Sequence, residues 1–214
     1  MNARFCVTSV VSLIGYFVIT RAGVSIGKCP NWIKGVPVDQ EDYGGIWFEI
    51  KRIDSFMEPG NSCNFIQNTF YTDSKGVRHV RVNNTGFDGS RYISSVADGT
   101  QPDPSTHTFN FNPATISNSV IRNLEPNFFN IYADKDFVLS YSCQTVAGIM
   151  KAECVILASR DRFPKDTEKL KRVEGALAQH GINKKFVNVN HENCPPIQAE
   201  KQNMFLKLMS FLED

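Results

Sequence analysis

The sequence has no long hydrophobic run, no surplus of charge of either sign, and no clustered metal-ligand or catalytic motif. Its 23 Lys and Arg face 22 Asp and Glu, so no basic stripe marks a nucleic-acid surface. The longest apolar stretch, Phe5 to Ile19, spans fifteen residues, short of the roughly 20 that a membrane-crossing helix needs. There is no CxxC pair and no mixed Cys/His cluster, which argues against a zinc site. The histidines, His79, His107, His180 and His191, are scattered, which argues against a haem ligand or other metal site. A Ser/His/Asp order, a paired-carboxylate motif and a glycine-rich phosphate loop are also missing, so the chain reads as a non-enzyme. Without repeats, linkers or low-complexity segments, 214 residues at 42% hydrophobic content read as one globular domain with room for a sizeable core.

The first 25 residues are expected to be a cleaved secretory signal. Arg4 gives a positive start, the apolar run follows, and Gly23, Ser25 and Gly27 supply small residues for cleavage between 25 and 27. The mature chain is then nearly neutral and extracellular, with Cys29, Cys63, Cys143, Cys154 and Cys194 left in an oxidising compartment. Four of these can form two disulfides, leaving one over. Asn83-Asn84-Thr85 is an N-glycosylation sequon.

From about Gly44 to Arg160 the chain is rich in Phe, Tyr, Val, Ile and Thr, and turn signals break it into runs of strand length. Strands are expected at 46–54, 63–73, 77–84, 90–97, 106–112, 117–122, 128–134, 136–144 and 151–159. Turns are expected at Glu58–Asn61, Asp73–Gly76, Asn84–Gly86, Phe87–Ser90 and Asp98-Gly99 with Pro102 and Pro104. Phe137, Leu139 and Tyr141 alternate with Val138, Ser140 and Ser142, the period of a sheet with two different faces. The period then changes. Pro164 to Thr167 is a helix start, Leu170, Val173 and Leu177 form one stripe, and Gly181 is a stop. In the tail, 197–214, Phe205, Leu208, Met209 and Leu212 form a second stripe. That stripe is expected to pack on the domain or to support a homo-oligomer.

Gly45-Ile46-Trp47-Phe48-Glu49-Ile50 resembles the Gly-x-Trp signature that opens the first strand of lipocalins. Ala133-Asp134-Lys135-Asp136-Phe137, with Tyr141, resembles that family's turn between the sixth and seventh strands. Ile156 to Arg160 resembles the end of its eighth strand. The resemblance spans roughly 28–196. It implies an all-β, eight-stranded up-and-down antiparallel barrel with one flanking helix, followed here by a C-terminal amphipathic helix. It also implies that Trp47 and Arg160 close one barrel end, by packing and by stacking of the guanidinium on the indole. The cysteine layout resembles apolipoprotein D-like and invertebrate pigment-binding lipocalins, and implies Cys29–Cys143 and Cys63–Cys194. Cys154 then stays free, either an inert buried thiol or a tether for a ligand. A two-residue turn at Gly148-Ile149 would instead place Cys154 opposite Cys143, a rival pairing.

A barrel of this size has room for one small ligand. Phe87, Tyr92, Phe109, Phe111, Phe129, Tyr132, Tyr141 and Ile156 are the expected lining. Aromatic content suits a bilin or carotenoid chromophore, with colourless lipids, retinoids or steroids as alternatives; no cofactor is required. Two rival functions are a thiol-dependent lipid isomerase, with Cys63 as the obvious nucleophile, and a protein-binding module.

Overall fold

In the computed structural model of the protein, the described residues are 24–37, 40–53, 62–101, 108–111, 128–146 and 148–197. Residues 1–23 of the expected signal peptide, the expected turn at 58–61, the expected strand at 117–122 and the tail stripe beyond residue 197 lie outside them, while Val24 and Ser25, the last residues of that expected signal, fall within a short strand.

Among the described residues, ten antiparallel strands form one sheet. They are β1 (Val24–Ile26), β2 (Gly45–Ile53), β3 (Ser62–Thr72), β4 (Arg78–Phe87), β5 (Tyr92–Thr100), β6 (Thr108–Phe111), β7 (Phe128–Ala133), β8 (Phe137–Val146), β9 (Met150–Ser159) and β10 (Val187–Asn188). Each of β2 to β9 pairs with the next in sequence, and β9 pairs back onto β2, so these eight close into a ring. Up-and-down order sets each of the eight strands beside its sequence neighbour, and closure of the ring covers most of the sheet edge. Among the described residues, two helices join the ring: α1 (Gln40–Tyr43) just before β2, and α2 (Thr167–Gln179) after β9.

Three of the described connections are each built by a single carboxylate. Asp73 Oδ1 accepts from the backbone N–H of Lys75 and Val77. Asp88 Oδ1 accepts from those of Ser90 and Arg91, and Asp134 Oδ1 from those of Asp136 and Phe137. Such side chains satisfy turn donors that no ladder reaches.

Two expected turns are strand instead. Asn84-Thr85-Gly86 lies inside β4 and Asp98-Gly99 inside β5, because these strands pair without interruption from His79↔Thr100 to Phe87↔Tyr92. The chain reverses only at Asp88. Continuous cross-strand pairing overrides local turn preference here.

Between β8 and β9 the last pair is Val146↔Met150, so three residues separate the strands and not two. Gly148, at φ 74°, supplies the left-handed residue that this bend requires.

Asp166 caps α2 by accepting from the Lys169 N–H, and Val173, Ala176 and Leu177 are buried beneath the helix. They pack on Ile50, Ile53, Leu139 and Leu157 from the barrel wall. Past the helix, the chain returns along the free edge of β2, where β3 has diverged beyond the Phe48↔Phe65 pair. There Val189 donates to the Ile50 carbonyl at 3.0 Å, and Cys63 donates to the Asn190 carbonyl at 2.8 Å. Disulfides Cys29–Cys143 and Cys63–Cys194 tie the two flanking segments to the wall, in the pairing that the cysteine layout implied.

Candidate functional site

The two faces of the sheet are distinguished by what covers them. Phe137, Leu139, Tyr141, Val155 and Leu157 share a core with Val173 and Leu177 of α2, so that face is the outside of the ring. The alternate positions, Val138, Ile156, Ala158 and Cys154, cluster with Trp47, Tyr43, Ile66 and Phe70. In a closed ring those positions point into the lumen.

One end of the lumen is plugged. Trp47 is buried, at 1% exposure, and its indole N–H donates to the Tyr43 carbonyl at 2.8 Å. The Arg160 guanidinium lies 3.8 Å from the indole centroid. Its Nη1 donates to the Ile46 carbonyl, and its Nη2 to the carbonyls of Asp42 and Gly44. The planar guanidinium can stack and donate at once, which a lysine cannot do. Gly45, at φ 81°, lets the chain turn from α1 into β2 directly beneath that guanidinium. The Gly-x-Trp motif and Arg160 are therefore one structural unit.

Above the plug, Phe109 is fully buried, with ring centroids 6.5 Å from Tyr43, 6.4 Å from Phe70 and 6.3 Å from Phe128. Asn130 and Ser140 add polarity: Ser140 Oγ donates to Asn130 Oδ1 at 2.6 Å, and the Tyr43 hydroxyl reaches the same atom at 3.4 Å. Burial pushes the Tyr43 phenol above its ordinary pKa, so it stays a neutral donor. Asn68 is buried nearby, its Nδ2 donating to the Tyr43 carbonyl.

Of the expected lining residues, Phe109 and Ile156 face the lumen. Five others lie on the outer wall. Phe129, Tyr132 and Tyr141 belong to the core beneath α2. Phe87 and Tyr92 pack on each other outside, and the Tyr92 hydroxyl donates to the Pro195 carbonyl at 2.6 Å. The side chain of Phe111 lies outside the described residues. The physical reason is a one-residue register difference, which turns every side chain of a strand over. In β7 it is Phe128, opposite Ser142, that points inward, while Phe129 pairs with Tyr141 outside. Tyr141 itself donates to Glu153 Oε1 at 2.9 Å, and burial and that carboxylate raise its pKa well above the usual phenol range.

Cys154 is in no disulfide and is buried on the inward face, opposite Ser142. Cys143 stands opposite Glu153 and is bonded to Cys29, so the rival Cys143–Cys154 pair is absent. Cys63 is bonded to Cys194. Asn83 of the sequon lies on the outward face of β4, half-buried, and receives the Thr85 hydroxyl at 3.4 Å.

Sequence reasoning missed two charged residues that share the lumen. Glu49 is fully buried and stands opposite Ala158. A bulge follows it in β2, and Arg52 then stands opposite Ile156. Both partners are lumen residues, so both charges point inward, with Arg52 Nη1 3.6 Å from Glu49 Oε1. Glu49 follows Trp47 by two residues, so strict alternation from the plug would have placed it inside. Nothing in the sequence announces the bulge that turns Arg52 inward.

A cleft of about 530 Å³ also lies outside the barrel, between α2 and β2. Two of its lysines, Lys51 and Lys184, are held by Glu174 and Glu153. It is a seam between helix and wall.

No family model and no curated protein matches the chain. Solved structures do. Lobster apocrustacyanin A1 matches at 16% identity and TM-score 0.54, over 82% of this chain and 99% of that one. Insecticyanin from the tobacco hornworm Manduca sexta matches at 14% identity and TM-score 0.57, over 79% of this chain and 89% of that one. The bovine lipocalin allergen Bos d 2 matches at 14% identity and TM-score 0.50, over 74% and 100%. The chain has the lipocalin fold.

Proposed function

We propose that this lipocalin-fold chain is a secreted carrier that holds one small hydrophobic molecule in the barrel lumen, with a bilin or a carotenoid as the favoured occupant. The observation that carries this reading is a ring closed by β2 and β9 and sealed at one end by Trp47 and Arg160. Above that seal, aromatic and aliphatic side chains face inward among a few polar groups. Such a lumen binds by taking apolar surface out of water, at about 25 cal/mol per Å², while its polar groups orient the ligand. The two disulfides suit an oxidising, extracellular setting. A thiol-dependent catalyst is the weaker reading, because the sulfur of Cys63 is bonded to Cys194 and Cys154 is buried.

The test is an absorption spectrum of protein purified from its natural source, followed by solvent extraction and mass analysis. A visible band that leaves with the solvent is the expected result. Protein that carries no small molecule, and takes none up when offered bilins, carotenoids, retinoids or fatty acids, would overturn the carrier reading.

A further inference from the structure

The sequon Asn83-Asn84-Thr85 plays no part in ligand carriage, and it is the chain's one Asn-x-Ser/Thr triplet. β4 holds it within the barrel wall. Ile66, a lumen residue, stands opposite Asn84. Asn84 therefore points into the barrel and Asn83 away from it. A register slip of one residue would reverse the two, and a bulky group on Asn83 would then have to fill the lumen.

Outside the wall, the surroundings of Asn83 are open. Gln67 and Val96 stand opposite it on the two flanking strands, and both are exposed. Thr69, Arg81 and Ser94, neighbouring positions on the same face, are exposed as well. No described residue of β3, β4 or β5 belongs to the core beneath α2, which draws its wall residues from β2 and β7 to β9. The helix thus leaves this part of the wall uncovered.

The amide itself is suited to carry a substituent. Thr85 Oγ1 donates to Asn83 Oδ1 at 3.4 Å and lies 2.8 Å from Ser94 Oγ. Among the described residues nothing bonds Asn83 Nδ2. That nitrogen is the atom a sugar takes in N-glycosylation. The donor is an oligosaccharide joined through its anomeric carbon to a lipid pyrophosphate. The Nδ2–carbon bond forms as the carbon–oxygen bond breaks, the lipid pyrophosphate leaves with the electron pair, and Nδ2 gives up a proton. Oδ1 takes no part, so the Thr85 bond survives in the product. Transfer takes place on the extended chain, so the burial of Thr85 in the finished sheet does not obstruct it.

We propose that Asn83 carries an N-linked glycan, which stands on the outer face of β3 to β5 beside Val96. This rests on the secretion that the carrier reading includes.

The test is to express the full chain with its own leader in cultured human cells and to collect the medium. Peptide-N-glycosidase F, used in heavy-oxygen water, removes the glycan and leaves labelled aspartate at the modified asparagine. The secreted protein is expected to migrate faster after the enzyme. The tryptic peptide Val82 to Arg91 should then bear the label at position 83 and none at Asn84. Asn83→Gln should abolish the mobility shift, and Thr85→Ser, which keeps the hydroxyl, should retain it. If N83Q is not secreted, the label in the wild-type peptide decides alone. Secreted wild-type protein with this peptide unmodified, or with the label at Asn84, would overturn the proposal and leave the carrier reading intact. A chain that stays in the cell without glycan would overturn the proposal together with the secretion on which it rests.

Discussion

At the scale of the residue, single polar atoms hold the barrel ends in shape. Asp88 is the clearest case. Its carboxylate accepts from the Arg91 N–H, then from the N–H and the hydroxyl of Ser90, and these bonds hold its pKa at about 2, against an ordinary 3.8. The folded value is depressed, so the contribution to stability is present above 3.8 and is lost as pH falls through about 2. Carboxyl-carbon NMR should give a titration midpoint near 2 for Asp88, with the 88–91 turn intact at pH 3. A midpoint near 3.8 would show that the turn's hydrogen bonds are not kept in solution. This turn was legible because Asp-Gly-Ser is strong turn chemistry. The inward position of Arg52 was not legible, because a bulge is a property of two strands paired together and leaves no mark on one of them.

At the scale of the element, the period of the pattern was readable and its direction was not. α2 showed itself by Leu170, Val173 and Leu177 after Asp166, and β8 by its alternation. But a barrel with a helix against it has two apolar faces. The richer one, with Phe137, Leu139, Tyr141, Val155 and Leu157, lies beneath the helix, while the lumen face carries Val138, Ser140, Ser142, Cys154 and Ala158. Choosing the more aromatic positions therefore selected the outer wall in β7 and β8. The helix is correspondingly part of the core. Leu177, 2% exposed, packs into that seam, so Leu177→Ala should cost about 2–4 kcal/mol. Urea unfolding should show a lower midpoint with an unchanged slope. A loss under about 1 kcal/mol would mean that α2 lies on the barrel without sharing its core.

At the scale of the whole molecule, the ring order and both cross-links followed from the resemblance, whereas closure of the ring is a matter of geometry that only β2–β9 pairing reveals. The two disulfides join residues 114 and 131 apart, each linking a flanking segment to a strand of the ring. In the chain-entropy model a loop of that length stabilises by about 5 kcal/mol, through restriction of the unfolded chain. The Cys63–Cys194 bond has a local effect as well. The returning segment is held by the Val189 and Cys63 backbone bonds and by the His191 ring nitrogen, 2.7 Å from the Glu49 carbonyl. The Val189 and His191 contacts lie along the edge of the strand that carries Glu49 and Arg52 into the lumen. Cys63→Ala with Cys194→Ala should therefore lower Tm by about 10–20 °C and open the 187–197 segment to proteolysis. The mature chain, in turn, should show no thiol reactive to a disulfide reagent when native, and one, Cys154, when unfolded without reductant. A Tm within about 3 °C of the parent would mean that the backbone bonds alone hold the segment and that the unfolded chain is already compact. A fast-reacting native thiol would place Cys154 within reach of solvent, against the buried position that its pairing with Ser142 gives it.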